Sequence, residues 1–178
     1  MSINENVEAT DKKILIVYYS LQGNTRQVAE CIRKINNGTV FELELTKPYS
    51  LASSYTIGMA HTLRGHLPKL VKSIDVKEYD TIIIGAPVWA YTFPPPIRSF
   101  LKKNKYSLAG KDLAFFCTHA GNYGKYFTKL EEVCNESNIL GGHDFLHVSK
   151  KSQEDLYEEV EKWLTSIGLN STDVFSSD

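Results

Sequence analysis

The sequence predicts an α/β domain, a three-layer α/β/α sandwich around a five-stranded parallel sheet of order 2-1-3-4-5. Three observations lead there. Short apolar runs recur along the chain, unbroken rather than alternating, as in strands buried on both faces. Stretches with helical spacing separate them, and such alternation implies a parallel sheet with helices on both sides. The length of 178 residues suits one core and leaves two full domains cramped.

The first strand is Ile14 to Tyr19, β-branched and aromatic throughout. Thr25 to Ile35 follows as a helix, with Val28, Cys31, Ile32 and Ile35 on one stripe. Val40 to Leu45 alternates more, as an edge strand does. Ser50 to Lys72 is less regular, with a helix expected near Leu51 to Thr62 and a connection through Gly65 and Pro68. Thr81 to Gly85 is the third strand. Pro96 to Lys103 begins with prolines suited to a first helical turn. Leu113 to Cys117 is the fourth strand, and Tyr126 to Cys134 the helix after it. Phe145 to Val148 is the last strand. Gln153 to Ile167 closes the domain, with Ser152 as N-cap and Gly168 as the C-terminal stop. Residues 13–168 are expected to form the single domain, and 1–12 and 169–178 mobile tails.

Composition removes several classes. The formal charge of -1 lacks the basic signature of a nucleic-acid binder, and also the strongly acidic one of many small electron carriers. Three cysteines, Cys31, Cys117 and Cys134, with no C-x-x-C spacing make neither a disulfide framework nor a zinc set. No metal site is expected. The apolar runs are too short to span a bilayer, and the polar start shows no signal peptide. A cytoplasmic protein without a membrane or nucleic-acid partner is the expectation.

Ligands of an open α/β sheet bind beyond the carboxyl ends of the strands, at the switch in strand order. Three loops lie there. Ser20-Leu21-Gln22-Gly23-Asn24-Thr25 joins a buried strand to a helix start and offers hydroxyls, amides and a glycine. Backbone N–H groups at a helix start favour an anion. No lysine is present and no G-x-x-x-x-G-K-[ST] occurs, so a phosphate monoester on neutral donors fits better than a Walker site. An ordinary capped turn reads the same way. The second loop, Ala86 to Pro96, sets Trp89, Tyr91 and Phe93 among prolines at a position that usually faces solvent. A flat aromatic ligand explains them; so does a satellite core. The third, Thr118 to Gly124, brings a hydroxyl, an imidazole and Tyr123. Alone, His119 reads as a solvated histidine.

Together these three elements resemble the flavodoxin family. The matching pieces are Ser20-Leu21-Gln22-Gly23-Asn24-Thr25, Gly85-Ala86-Pro87-Val88-Trp89 and Thr118-His119-Ala120-Gly121-Asn122-Tyr123-Gly124. The likeness is greatest to the branch with Trp after the Pro of the second loop, and it extends over about Lys13 to Gly168. It implies non-covalent FMN. Ser20, Gln22, Gly23, Asn24 and Thr25 would hold the phosphate. Pro87, Val88, Trp89, Ala90 and Tyr91 would enclose the ring with Thr118, His119, Ala120, Gly121, Asn122 and Tyr123, and Trp89 or Tyr91 would stack on it. Two features stand apart. Thr46 to Lys72 is longer than a plain crossover, and no long insertion splits the last strand.

The choice between enzyme and carrier turns on charge near the ring, since the flavin performs the redox chemistry. Loops 20–26, 86–98 and 117–127 contain Arg26, Arg98 and Lys125 and no Asp or Glu. A positive rim attracts an anionic dinucleotide or a quinone. The expectation is therefore a flavodoxin-fold reductase, in which NAD(P)H gives a hydride to FMN and the electrons pass to a quinone or similar acceptor. His119 and Tyr91 are the candidate proton-supplying residues, by loop position. The alternative is a one-electron flavodoxin carrier serving redox-protein partners. A homodimer is compatible with the resemblance. A receiver domain fails for lack of carboxylates at the strand ends, and a cysteine phosphatase fails because Tyr123 stands where its arginine is required.

Overall fold

The computed structural model describes residues 12–170. Its elements are β1 (Ile14–Tyr18), α1 (Asn24–Asn36), β2 (Thr39–Glu42), α2 (Leu51–Ser53), α3 (Met59–Leu63), β3 (Thr81–Pro87), α4 (Pro95–Leu108), β4 (Asp112–His119), α5 (Tyr126–Val133), β5 (Asn138–Leu146) and α6 (Gln153–Ser166). The five strands form one parallel sheet in the order β2-β1-β3-β4-β5. This is the predicted flavodoxin-like arrangement.

Alternation along the strands builds the two cores. Leu15 and Val17 of β1, Ile82 and Ile84 of β3 and Phe115 of β4 face Ile97, Phe100 and Leu101 of α4 and Leu130 of α5. Their neighbours Ile16, Tyr18, Ile83 and Phe116 face Val28 and Ile32 of α1 and Val160, Trp163 and Leu164 of α6. A strand buried on both faces must be apolar at every position, which is why the central strands read as unbroken runs.

Several elements differ from the sequence expectation, and α4 runs to Leu108, five residues past the expected Lys103. β5 begins at Asn138, seven residues before the expected Phe145. Its first half, Asn138-Ile139-Leu140-Gly141-Gly142, offers only two apolar residues before two glycines, as suits an edge strand with partly open faces, and Val148 belongs to a short 3-10 turn instead. β2 is shorter than expected, and Leu45 makes only an isolated antiparallel bridge to Leu70. The helix expected over 51–62 forms, but its middle, Ser54–Gly58, is a π-turn. The expected tails lie mostly outside the described residues. Lys12 pairs with Asp112 at 3.0 Å, and Leu169 is buried with its N–H donating to the Leu164 carbonyl at 2.8 Å. Packed structure thus reaches Leu169, just past the expected boundary.

Candidate functional site

The carboxyl ends of β1, β3 and β4 open into one cavity of about 500 Å³. That volume lies in the range of small-molecule sites. Its lining contains nearly every residue selected from the sequence: Ser20, Gln22, Asn24 and Thr25, then Pro87 to Tyr91, then Thr118 to Asn122. Gly23 and Tyr123 stand beside the cavity rather than in its wall.

The first loop is held from inside. Ser20 Oγ accepts the N–H groups of Gly23 at 3.1 Å and Arg26 at 3.3 Å. Gly23 takes a left-handed φ of 90°, which a side chain would strain, and the chain turns there into α1. The backbone N–H groups of Leu21, Gln22, Asn24 and Thr25 find no acceptor among the described residues. They form an N–H nest at the start of a thirteen-residue helix, with no acidic residue in its first turn. This is a phosphate site in donor chemistry and in field. Thr25 Oγ1 lies 2.9 Å from Thr118 Oγ1, both buried, so the first and third loops are tied together.

The second loop is a tight hairpin. Trp89 and Thr92 exchange two backbone hydrogen bonds, 2.9 and 3.0 Å, around Ala90 and Tyr91. Both central residues have positive φ, 47° and 62°, a primed turn normally built from Asn and Gly. Strain of this kind persists only where surroundings fix it. Here the Lys125 N–H donates to the Tyr91 carbonyl at 2.8 Å, and the Val88 N–H to the Thr118 carbonyl at 3.1 Å. The turn leaves the Ala90–Tyr91 peptide without a hydrogen-bond partner among the described residues.

The two candidate stacking rings divide. Trp89 is only 8% exposed. It is wedged edge-on against Tyr19 (5.8 Å between centroids) and Tyr49 (5.1 Å). Much of its area therefore belongs to a satellite core. Tyr91 is 66% exposed and stands at the mouth, free to cover a ring. Burial pushes the Tyr19 phenol up to about 12 and raises that of Tyr49.

His119, a candidate proton source by loop position, has both ring nitrogens occupied in this structure. The Gly121 N–H donates to its Nδ1 at 3.3 Å, so the ring proton sits on Nε2 and is given to Asp144 Oδ2 at 2.9 Å. The side chain is 6% exposed and both nitrogens are engaged. His119 positions the third loop, and its carbonyl accepts the His147 N–H at 2.8 Å.

The positive rim is also corrected. Arg26 is paired with Glu42 at 2.7 Å, and that carboxylate further raises the guanidinium's pKa. Arg98 is half-buried, stacked on Phe93 at 5.1 Å and donating to the Thr62 carbonyl at 3.3 Å. Counting charges loop by loop missed Glu42 and Asp144 because the ends of β2 and β5 deliver them. Only Lys125 of the three cations lacks a partner among the described residues.

Two lining segments were not selected from the sequence. Leu51, Ser54, Tyr55 and Met59 come from α2, the π-turn and α3. His147, Val148 and Ser149 follow β5. The first had a signal, the excess length of Thr46 to Lys72; the second had none, since β5 itself was cut short. Cys117 is fully buried in β4 and burial raises its thiol, so it is a packing residue.

An anion nest, an exposed tyrosine and an apolar wall around one cavity fit the FMN implied by the resemblance. Comparison with known proteins agrees. The flavodoxin family model matches residues 13–166. A Lactobacillus acidophilus flavoprotein solved in complex with FMN is 29% identical, covering 75% of this chain and 93% of its own, with a TM-score of 0.65. A Bacteroides eggerthii protein assigned as a flavoprotein is 24% identical over 89% and 99%, with a TM-score of 0.73. A Treponema denticola general stress protein solved with FMN shares the fold at 13% identity over 88% and 98%, with a TM-score of 0.57. Comparison with curated proteins gave no match. With a family match over nearly its whole length and the family's sheet order and loop cavity, the chain belongs to the flavodoxin family.

Proposed function

We propose that this chain binds FMN non-covalently and uses it to reduce a quinone or similar small acceptor at the expense of NAD(P)H. The observation that carries the reading is the second apolar wall. Leu51, Tyr55 and Met59 join Trp89 and Tyr91 around the cavity, which supports a slot for a small planar substrate beside the cofactor. A carrier that hands electrons to proteins has no need of such a slot.

The residues divide the work. The free N–H groups of Leu21, Gln22, Asn24 and Thr25 would hold the phosphate, with the Ser20 and Thr25 hydroxyls beside them. The fixed Ala90–Tyr91 peptide and the Tyr91 ring would orient the isoalloxazine. The His119–Asp144 pair would keep the third loop in place, and Leu51, Tyr55 and Met59 would exclude water. FMN, when bound there, would supply the two-electron redox chemistry that links a nicotinamide donor to the acceptor.

The test is anaerobic. FMN-loaded protein is mixed with NADH or NADPH and the visible flavin band is followed. Rapid bleaching, reversed by a benzoquinone, supports the reductase. The second reading, a one-electron carrier, is favoured by the exposure of Tyr91 at the mouth, where a protein partner could cover it. It predicts no bleaching by either nucleotide and photoreduction in two resolved one-electron steps.

A further inference from the structure

The stretch between β2 and β3 carries a second surface. Within it, Leu45 to Ile74 holds no Asp or Glu, with Glu44, whose carbonyl accepts the Val71 N–H at 2.8 Å, and Asp75 at its borders. The same stretch holds Lys47, Arg64, Lys69 and Lys72, all exposed. None of these four makes an ion pair among the described residues. Large apolar side chains are exposed there too. Leu51, Tyr55 and Met59 line the cavity, so a bound cofactor and substrate account for them. Ile57, Leu63, Leu67 and Val71 do not line it, yet all are exposed, Leu63 by 74%. Single exposed apolar residues are ordinary; four on one short surface segment that also carries unpaired cations are not.

We infer that this face docks the protein onto an anionic lipid surface, with Ile57, Leu63, Leu67 and Val71 entering the headgroup layer and Lys47, Arg64, Lys69 and Lys72 against lipid phosphates. Charge complementarity selects the occupant. A second copy of this face would set four cations against four cations. Protein interfaces are depleted in Lys, and Leu and Val are under-represented among their hot spots. Aliphatic side chains ringed by Lys and Arg are instead the composition of segments that lie in a membrane interface. Each cation near an anionic bilayer strengthens partitioning about fivefold. Tyr55, 68% exposed at the edge of the patch, suits the interfacial layer, where one end of the ring is apolar and the other wet.

No helix of the described residues is long and apolar enough to cross a membrane. The expectation of no membrane partner rested on missing spans, and surface contact needs none. Docking would bring the cavity mouth, walled by the same segment, to the layer in which apolar acceptors dissolve. The contact does not depend on the acceptor or on the reductase reading, because its test measures binding and no turnover.

The experiment is co-sedimentation of the full chain, FMN-loaded, with vesicles. Vesicles of phosphatidylcholine and phosphatidylglycerol in equal parts should retain the protein at low salt and release it at high salt. Pure phosphatidylcholine should retain little. Lys69→Glu with Lys72→Glu should weaken retention about tenfold or more, and Leu63→Asp should weaken it similarly. Lys102→Glu with Lys105→Glu, also exposed, on α4, should leave it unchanged. All these side chains are on the surface, and an unchanged circular dichroism spectrum and flavin band verify folding. Absence of retention on the anionic vesicles would overturn the inference. So would an equal loss in the α4 variant, which would mean general charge attraction. A dimer in sedimentation that Leu63→Asp dissociates, without vesicle binding, would assign the face to a second copy and overturn it as well.

Discussion

Gly58→Ala sets two effects of known size against each other. Gly58 lies at the end of the π-turn with helical dihedrals, φ -62° and ψ -44°. On helical propensity alone, alanine should stabilise the protein by about 0.5–1 kcal/mol. The structure predicts the opposite sign. A Cβ at Gly58 would sit 2.8 Å from Trp89 Cζ3, 3.2 Å from Cε3 and 3.3 Å from Cη2. The ring cannot retreat, because Tyr19 and Tyr49 meet it edge-on and it is nearly buried. Overpacking of this kind costs about 1–3 kcal/mol. The net expectation is a loss of about 0.5–2 kcal/mol, or about 1–8 °C in Tm for a chain of this size. Urea unfolding with an unchanged m-value measures it. FMN binding should weaken as well, since Trp89 and the π-turn share the cavity wall. In the Trp89→Phe background the alanine should become neutral or stabilising. A Gly58→Ala protein about 1 kcal/mol more stable than the parent would refute the argument that close packing of the added segment on Trp89 forms this wall.

Other outcomes follow from the same geometry. Thr25→Val or Thr118→Val alone should cost about 1–3 kcal/mol, because each leaves a buried hydroxyl unpartnered. The double variant should cost less than the sum, and strict additivity in a double-mutant cycle would contradict the 2.9 Å pairing. Tyr18 and Tyr19 are raised from 10.0 to about 12 mainly by burial. Neutral phenols therefore favour the fold; that contribution is complete below pH 10 and fades as pH approaches 12. Ultraviolet titration should show a class of tyrosines that ionise only as the protein unfolds, and all ten titrating together near pH 10 in folded protein would count against it. Replacing Arg26 with Ala should change stability by no more than about 1 kcal/mol, because the Arg26 side chain in its pair with Glu42 is 54% exposed. A larger loss in thermal unfolding would mean that the pair is more isolated from water than its exposure indicates. Asp144→Ala should leave the buried His119 Nε2–H without its acceptor, cost about 1–3 kcal/mol in urea unfolding and weaken FMN binding.

The fold was legible where burial is two-sided. β1, β3 and β4 must be apolar at every position, and that leaves an unmistakable run. β5 was legible only at Phe145 and Leu146, because Asn138 to Asp144 answers to one neighbour strand and to solvent, and Gly141 and Gly142 carry no pattern. A helix at 51–62 could be read from spacing. Its π-turn could not, because a changed hydrogen-bond period leaves no mark on residue type. For the site, the three loops were visible because each follows a recognisable strand. Their electrostatics were not, since Glu42 and Asp144 reach Arg26 and His119 across the sheet from 16 and 25 residues away. Trp89 was visible as an unusual loop aromatic, but its partners Tyr19, Tyr49 and Gly58 come from three separate segments.

The central claim is that the Ser20–Thr25 nest receives the phosphate of a flavin whose ring lies in the cavity walled by Tyr91. Titrating the flavin-free protein with FMN and with riboflavin, following flavin fluorescence, tests it most directly. Hydrogen bonds to a charged group contribute about 1.5–3 kcal/mol each, so even two of the four free N–H groups should make FMN about a hundredfold tighter than riboflavin. Equal affinities, or no quenching by either flavin, would contradict the account.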